Sequence, residues 1–277
     1  MTENQDQQWG KYSADYNSGA WVKDAVEAPF LEGHFKSFAQ KALDRGKPWK
    51  ALDIGCGMGR YTIRLLQAGA SYVLASDADV DMVSGAKKET EQYLIGRSGP
   101  GTPKADFYVC SAAHLTSISR IEEGTFDLAI SIYVLCNLPS TKDVKQALRE
   151  ISKLLRPGGT FIFYEPHIVE YMTMTNSTGH VEYLPKDDGT EYKYFEDEGK
   201  PQTLRIRMNS GNPIEITNRF YTLSFWVTSL LEVGFQISQF HEPHGNPKDF
   251  PSDAPSYMRY YAECPSAMVW VCTNVPQ

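Results

Sequence analysis

The residues best suited to chemistry in this chain surround a short glycine-rich turn. Asp53 ends an apolar run, glycines follow at positions 55, 57 and 59, and residues 60–66 then show helical spacing. This order predicts a buried strand, a tight turn and the start of a helix. Glycines let a ligand lie directly against the backbone, and a helix N-terminus offers free N–H groups and a positive dipole end. The Asp53 carboxylate would repel a phosphate but suits a ligand that carries an ammonium or sulfonium charge.

The spacing of the glycines distinguishes between several nucleotide-binding turns. A dinucleotide-binding turn has the pattern G-x-G-x-x-G, and here Gly59 comes one residue too early. A phosphate-binding P-loop requires Gly-Lys-Ser/Thr, which is missing. Residues 52–60, Leu-Asp-Ile-Gly-Cys-Gly-Met-Gly-Arg, resemble the first motif of class I S-adenosylmethionine-dependent methyltransferases. A strand-to-helix turn with no ligand is the alternative.

A second acidic residue follows the next predicted strand. Asp77 comes directly after residues 71–76 and about twenty residues beyond the glycine turn. A carboxylate at the tip of the neighbouring strand can accept both hydroxyls of a ribose. By resemblance, Asp77 is the ribose-binding acid of the methyltransferase fold. A role in a turn or at a helix N-cap is the alternative, although Asp79 or Asp81 could cap the next helix instead.

Strands alternate with helices from about residue 50 to residue 165, which predicts a parallel sheet with helices on both faces. Three more strands are predicted at 105–110, 126–131 and 160–164. A helix with apolar residues at helical spacing is predicted at 143–155, ended by Arg-Pro-Gly-Gly.

The last part of the chain completes this order. Residues 222–233 are predicted as a helix, and residues 235–240 and 267–272 as strands. Class I methyltransferases close their sheet with a sixth strand and an antiparallel seventh, which these two strands resemble. The predicted fold is therefore α/β and Rossmann-like. It has a seven-stranded, mostly parallel sheet with an antiparallel last strand, helices on both faces and an inserted β-hairpin or lid.

Four segments follow from this interpretation. Residues 1–49 are expected to form an N-terminal helical lid, with Tyr12, Tyr16 and Trp21 over the cofactor. Residues 50–165 are expected to form the cofactor-binding core. Residues 166–219 are expected to form an inserted acceptor-binding lid, because period-two alternation surrounds an Asn-Ser-Gly-Asn turn. Residues 220–277 are expected to complete the core sheet.

The resemblance implies S-adenosyl-L-methionine as the cofactor. Most of the expected contacts lie at the carboxyl ends of the strands. The expected cofactor-binding residues are Tyr16, Asp53, Gly55, Cys56, Gly57, Asp77, Ala78, Ser111, Ala112, Ser131 and Ile132. Ser111 departs from the family pattern, because many relatives have an aspartate there that accepts from the adenine amino group. A serine hydroxyl can make one such bond, and the loss is about 1 kcal/mol.

The catalytic residues are predicted from position and chemistry. Methyl transfer is a displacement on carbon, so the protein mainly aligns the groups, excludes water and in some cases removes a proton. His167 directly follows the fifth strand and is the predicted base, and Glu170 is expected to serve as the base or to orient the imidazole. A loop histidine bonded to the backbone is the alternative. The expected acceptor contacts are aromatic: Tyr133, Tyr171, Phe220 and Trp226.

Composition bounds the class of protein. The 277 residues carry a formal net charge of -7 without any basic run, which argues against a nucleic-acid binder. The polar start is unlike a secretory signal, and no apolar run approaches the length of a membrane span. The five cysteines form no C-x-x-C pair, so no metal site is expected and they are expected to be reduced thiols. A cytoplasmic monomer or homodimer is expected.

The sequence thus predicts an enzyme that methylates an O, N or C atom of a small aromatic or apolar metabolite. It resembles the small-molecule methyltransferases of the ubiquinone and toxoflavin type. A catalytically silent, methyltransferase-like binding protein is the alternative. A nicotinamide-dependent dehydrogenase is disfavoured by the glycine spacing. The identity of the acceptor is not indicated by the sequence.

Overall fold

A computed structural model describes residues 9–12, 22–97, 99, 101–119, 121–169, 181–207 and 213–275. The α-helices are α1 (Ala28–Asp44), α2 (Arg60–Gln67), α3 (Val80–Leu94), α4 (Thr141–Leu154), α5 (Leu223–Glu232) and α6 (Tyr260–Glu263). The strands are β1 (Lys50–Ile54), β2 (Tyr72–Asp77), β3 (Lys104–Val109), β4 (Phe126–Ile132), β5 (Leu155–Pro166), β6 (Val181–Tyr183), β7 (Pro201–Arg207), β8 (Pro213–Arg219), β9 (Phe235–His241) and β10 (Ala267–Asn274). A π-helical turn, Lys23–Glu27, leads into α1.

The main sheet has seven strands in the order β3-β2-β1-β4-β5-β10-β9. The first five strands along the chain pair in parallel, whereas β10 is antiparallel to both β5 and β9. The predicted Rossmann-like sheet with an antiparallel last strand is confirmed. One boundary differs, because Leu155 already pairs with Phe126 of β4 and so β5 begins before the Arg-Pro-Gly-Gly turn.

Helices cover both faces of this sheet, as the apolar runs of the central strands require. On one face α1 and α2 pack through Leu31, Phe35 and Leu65, all of which are fully buried. On the other face α4 and α5 pack through residues such as Ile151 and Leu230. The longest α-helix, α1, has 17 residues. No helix in the described ranges is both long and apolar enough to cross a membrane.

The chain leaves β1 for β2 on one side and later returns to β4 on the other side. A crevice therefore opens at the carboxyl ends of these strands, where open α/β sheets bind their ligands. The crevice lies beside the glycine turn, which directly follows β1.

A second, three-stranded antiparallel sheet lies outside the main sheet, in the order β6-β7-β8. The predicted hairpin is present as the pair β7–β8, with Leu204 opposite Ile216. Its turn residues, 209–212, lie outside the described residues. Alternate residues on one face of this sheet are apolar and buried, so this face forms a small core of its own.

Residues 9–12, which we call the N-terminal strap, join the two sheets. The backbone N–H of Gly10 donates to Asp79 Oδ2 at 2.9 Å, and Asp79 also caps the start of α3. A Cβ at Gly10 would lie 2.2 Å from the Asp79 carboxylate. At the other end, the Tyr12 hydroxyl donates to the carbonyl of Glu215 in β8 at 3.3 Å. The strap therefore links the start of α3 to the small sheet.

Candidate active site

The glycine turn is held open by backbone conformations that suit glycine. Gly55, Gly57 and Gly59 have φ angles of 68°, 52° and 85°, in the left-handed region. A Cβ at Gly55 would also lie 2.2 Å from Cγ2 of Val134. The N–H groups of Gly55 and Cys56 donate to the carbonyl of Ser76 at 2.7 and 2.9 Å. These bonds fix the turn against the end of β2.

A cavity of about 210 Å³ extends from this turn to the inner face of the small sheet. Nine of the residues predicted to bind cofactor or acceptor line this cavity. They are Gly55, Cys56, Gly57, Asp77, Ala78, Ser111, Ala112, Ile132 and Tyr133. The carboxyl ends of β1, β2, β3 and β4 thus bring together residues that are distant in sequence.

Asp77 lies at the end of β2 and lines the cavity. Its Oδ2 accepts from the N–H of Gly57 at 2.9 Å, and its Oδ1 accepts from the N–H of Asp79 at 3.0 Å. These two bonds orient the carboxylate at the edge of the cavity. Asp79, not Asp77, caps α3.

Asp53 does not line the cavity but lies buried beneath the glycine turn. Its Oδ2 accepts from the Thr62 hydroxyl at 2.5 Å, which ties the end of β1 to α2. Burial raises the pKa of Asp53 to about 7. The geometry therefore favours a role for Asp53 in holding the turn rather than in direct contact with a ligand.

Ser131 is also placed differently from the prediction. Its side chain is fully buried in β4 and does not line the cavity, whereas its neighbour Ile132 does. Side chains alternate between the two faces of a strand, so only one of two adjacent residues points toward the crevice.

Tyr133 begins the loop after β4 with a φ angle of 54°, the one positive value at a non-glycine residue in the part of the chain that the structure describes. Its N–H donates to the Tyr164 carbonyl at 2.7 Å, and its own carbonyl accepts from Asn137 Nδ2 at 2.6 Å. A left-handed conformation costs energy at a residue with a Cβ and persists where the surroundings hold it, often at functional sites. These bonds hold the Tyr133 ring against the cavity.

Glu165, at the end of β5, supports the same loop and was not identified from the sequence. Its carboxylate accepts from the N–H groups of Leu135 and Cys136 at 3.0 and 3.2 Å. Burial raises the pKa of Glu165 to about 7. The residue is buried and is not part of the cavity wall. It therefore acts through the loop that it holds.

The structure does not support His167 as a base that faces the acceptor. Its Nδ1 accepts from the N–H of Val169 at 3.0 Å, so Nε2 carries the proton and meets Glu242 at 2.7 Å. The ring is buried and does not line the cavity. Burial lowers the pKa of His167, although the bond to Glu242 opposes this. The prediction for His167 is corrected to a structural role, because both ring nitrogens are already engaged.

Two predicted acceptor contacts are also corrected. Phe220 is buried in the core beneath the small sheet, and Trp226 is buried in the main core, where its ring centroid lies 5.6 Å from that of Phe163. Neither lines the cavity. Their aromatic character therefore serves packing. Three further predicted site residues lie outside the described ranges: Tyr16, Glu170 and Tyr171.

The wall opposite the glycine turn is instead made by the small sheet. Aliphatic side chains at alternate positions of β7 and β8 line the cavity, together with one amide. These residues are Leu204, Ile206, Ile214, Ile216 and Asn218, and Arg207 at the end of β7 also lines the cavity. Val181 and Tyr183 of β6 and Trp9 of the strap extend this wall. The period-two pattern of residues 203–217 was the available signal, because it indicates the buried face, although it did not show that this face lines a cavity.

A charged group beside the glycine turn was missed as well. Glu27 and Lys23 of the π-helical turn line the cavity with Arg60 and Tyr61 of α2. The Tyr61 hydroxyl donates to Glu27 Oε2 at 3.4 Å. Glu27 is spaced four and eight residues from the buried Leu31 and Phe35, so it lies on the buried side of its helix. That spacing was the signal in the sequence.

Comparison with known proteins agrees with this geometry. Residues 52–163 match a protein family described as a methyltransferase domain. The chain is 31% identical over 160 residues to the ubiquinone/menaquinone biosynthesis C-methyltransferase of Bartonella quintana, covering 53% of this chain and 55% of that protein. It is 27% identical over 158 residues to the sterol 24-C-methyltransferase of Saccharomyces cerevisiae, covering 57% and 37%. The chain thus spans about half the length, or less, of these two relatives.

Solved structures share the fold at low sequence identity. An S-adenosylmethionine-dependent methyltransferase structure from Listeria monocytogenes aligns with a TM-score of 0.55 at 21% identity, over 87% of this chain and 98% of that one. The CcbJ methyltransferase of Streptomyces caelestis aligns with a TM-score of 0.60 at 12% identity, over 98% of both chains.

A Rossmann-like sheet with an antiparallel last strand, a glycine turn after β1 and an acid after β2 define the class I S-adenosylmethionine-dependent methyltransferases. Residues 52–163 of this chain match a methyltransferase domain, and the strand order of its main sheet is of this kind. The cofactor of the class is S-adenosylmethionine.

Proposed function

We propose that this protein is an enzyme that transfers the methyl group of S-adenosylmethionine to an O, N or C atom of a small apolar or aromatic molecule. One observation carries this proposal: a single cavity has the glycine turn on one side and an apolar sheet face on the other. A polar cofactor and an apolar acceptor each find a matching wall there, and Tyr133 also lines the cavity.

The residues present fit S-adenosylmethionine. Gly55 lacks the Cβ that would fill the space beside the turn, so the backbone there can be approached closely. Asp77 would hold the ribose, and Ala78, Ser111 and Ala112 would contact the adenine end. When bound, the cofactor supplies an electrophilic methyl group on a positively charged sulfur.

The protein's own part in the reaction is then mainly alignment and exclusion of water. Aligned reactants gain several kcal/mol from avoided loss of translational and rotational freedom. Ile206 and Ile216 would hold the acceptor's apolar surface, and Tyr133 would separate the two ends of the cavity. Glu170 and Tyr171 remain predicted contacts. Trp9 of the strap would help to exclude water from the reacting groups.

The arrangement also supports separate functions for four segments of the chain. Residues 50–165 would bind the cofactor, 166–219 would bind the acceptor, 220–277 would complete the sheet, and 1–49 would form a lid. The names of two similar proteins include C-methyltransferase, for ubiquinone/menaquinone biosynthesis and for a sterol. Those names support an apolar acceptor, and methylation at carbon is one of the three possibilities.

The experiment follows methyl-labelled S-adenosylmethionine into a panel of apolar phenols, quinols and enols. We expect transfer to at least one of them, with a selective rise in acceptor KM of about tenfold in Ile206→Asp, because a carboxylate disrupts the apolar wall. Thr203→Ala, on the opposite face of β7, is the matched control. Binding of the cofactor without transfer to any acceptor would favour the catalytically silent alternative.

A further inference from the structure

Glu27 is a buried carboxylate that faces the cavity. It is the last residue of the π-helical turn and is 3% exposed, although it lines the cavity beside the glycine turn. Leu31 and Phe35, on the same side of the helix, belong to the apolar core. A carboxylate in such surroundings is costly unless charged or strongly hydrogen-bonding partners compensate it.

The hydrogen-bond donors to Glu27 in the described structure are neutral phenols. Tyr61 donates at 3.4 Å, and the phenol of Tyr133 lies close enough to lower the pKa of Glu27. Burial and the nearby Glu27 raise the pKa of Tyr61 well above its ordinary value, so this phenol stays neutral. Two neutral donors, one of them at a long distance, compensate a carboxylate less than a cation does.

Positive charge lies on the same side of the cavity. Lys23 precedes Glu27 by one turn, and Arg60 is the first residue of α2, directly after the glycine turn. Both lower the pKa of Glu27 electrostatically, while burial raises it and dominates. On the outer side, Arg60 pairs with Asp24, whose side chain is 55% exposed. This part of the wall thus presents one carboxylate and two cations next to each other.

A wall with one carboxylate and two cationic side chains suits a ligand group that carries both a positive and a negative charge. Resting on the proposed function, we propose that Glu27 is a specificity-determining residue that receives the ammonium of the cofactor's amino-acid head. Arg60 and Lys23 face the carboxylate of the same head. Glu27 therefore makes the site select a cofactor with an intact amino-acid head over fragments that lack it.

The burial of Glu27 also predicts that ligand binding depends on pH. Burial keeps the pKa of Glu27 above its ordinary value, and an adjacent ammonium would favour the ionised form. Ligand binding should then release a proton from Glu27 and become tighter as the pH rises through that pKa. The charged and titratable groups around Glu27 are Lys23, Asp24, Arg60, Tyr61 and Tyr133.

The test compares two ligands by calorimetry. S-adenosylhomocysteine carries the amino-acid head, and 5′-methylthioadenosine shares the nucleoside but has a methyl group in place of the head. In Glu27→Gln we expect affinity for S-adenosylhomocysteine to fall on the order of 10- to 100-fold, with affinity for 5′-methylthioadenosine unchanged. Proton release, measured in buffers of different ionisation enthalpy, should also disappear with S-adenosylhomocysteine.

Glu32→Gln is the matched control, because Glu32 lies on the same helix and pairs with Arg64 outside the cavity. It should leave both affinities unchanged. Equal weakening of both ligands in Glu27→Gln would show a structural role and overturn the inference. Unchanged affinity for both ligands, with a loss of kcat alone, would make Glu27 a base and overturn it too. Failure of both ligands to bind the unmodified protein would instead overturn the proposed function.

Discussion

The two walls of the cavity are built in different ways. The glycine-turn wall uses backbone N–H groups, glycine conformations and a few charged side chains, all fixed to the ends of parallel strands. The small-sheet wall uses aliphatic side chains on alternate positions of β7 and β8. The first wall can recognise a ligand by directional hydrogen bonds and by charge. The second wall recognises mainly the shape and the apolar area of a ligand. On the proposed function, a change of acceptor would require only side-chain changes in the second wall.

The strongest test of the backbone-built wall is Gly55→Ala. A left-handed conformation costs an alanine about 1–2 kcal/mol, and crowding against Val134 adds about 1–3 kcal/mol. We expect a loss of about 2–5 kcal/mol in the free energy of unfolding, measured by denaturant titration. Gly46→Ala is the control, because Gly46 has a similar φ of 65° with open space around it. Equal losses in the two variants would show that crowding against Val134 does not contribute to the loss at Gly55.

The loop between the two walls should respond to pH through Glu165. Its pKa is about 7 in the folded protein and has an ordinary value of 4.5. The folded state therefore binds the proton more tightly, so this contribution to stability is present below about pH 4.5 and is lost as the pH rises through about 7. A pKa shift of this size corresponds to a loss of about 3 kcal/mol in the free energy of unfolding. Unfolding titrations across this range should show a shallower decline in Glu165→Gln.

Asp53 titrates in the same direction, since burial also raises its pKa to about 7. Some decline with rising pH should therefore remain in Glu165→Gln. Glu123→Gln, at an exposed position, should follow the unmodified protein. A Glu165→Gln profile identical to that of the unmodified protein would show that Glu165 does not carry this dependence.

Asp77→Ala tests the side-chain part of the cofactor wall. We expect S-adenosylmethionine to bind about 2 kcal/mol more weakly, because the ribose loses a charged double acceptor. Calorimetry on the folded variant measures this, and Asp81→Ala, in the first turn of α3, is the control. Unchanged affinity in Asp77→Ala would contradict the ribose assignment.

The smallest effect is expected at His167, which directly follows β5. A general base contributes about 10²–10⁴-fold to the rate, but His167 lies outside the cavity wall and is bonded to Val169 and Glu242. We expect kcat of His167→Gln to stay within about threefold, a change of less than about 1 kcal/mol. Glu170→Gln measured beside it shows whether the nearby carboxylate is needed. A hundredfold loss in His167→Gln would restore the histidine as a base.

The sequence predicted the backbone-built wall better than the side-chain-built wall. Glycine spacing at 55, 57 and 59 is a local pattern, and the position of Asp77 follows from the order of strands. The seven-stranded sheet follows from alternating apolar periods. All of these depend on residues close in sequence or on the chain order of a common fold.

The alternation of apolar and polar residues in the hairpin indicates which face of the small sheet is buried, but no local pattern shows whether that face fills a core or lines a cavity. Phe220 and Trp226 are aromatic, but whether they line a cavity or fill a core depends on contacts such as Trp226 with Phe163. Glu27 is likewise defined by contacts with α2 and with the loop after β4. Long-range packing, and not residue type, decided these positions.

The strap has a consequence for the order in which the protein folds. Residues 9–12 leave the ribosome before their partners, because Asp79 lies 69 residues beyond Gly10 and Glu215 lies 203 residues beyond Tyr12. Synthesis proceeds from the N-terminus at about 5–20 residues per second, so the contact with β8 must wait at least about ten seconds. The main sheet between β1 and β5 can pair during that interval. Docking of the strap on β8 is therefore among the late steps of folding, and the wall that it extends is completed only when most of the chain has been made.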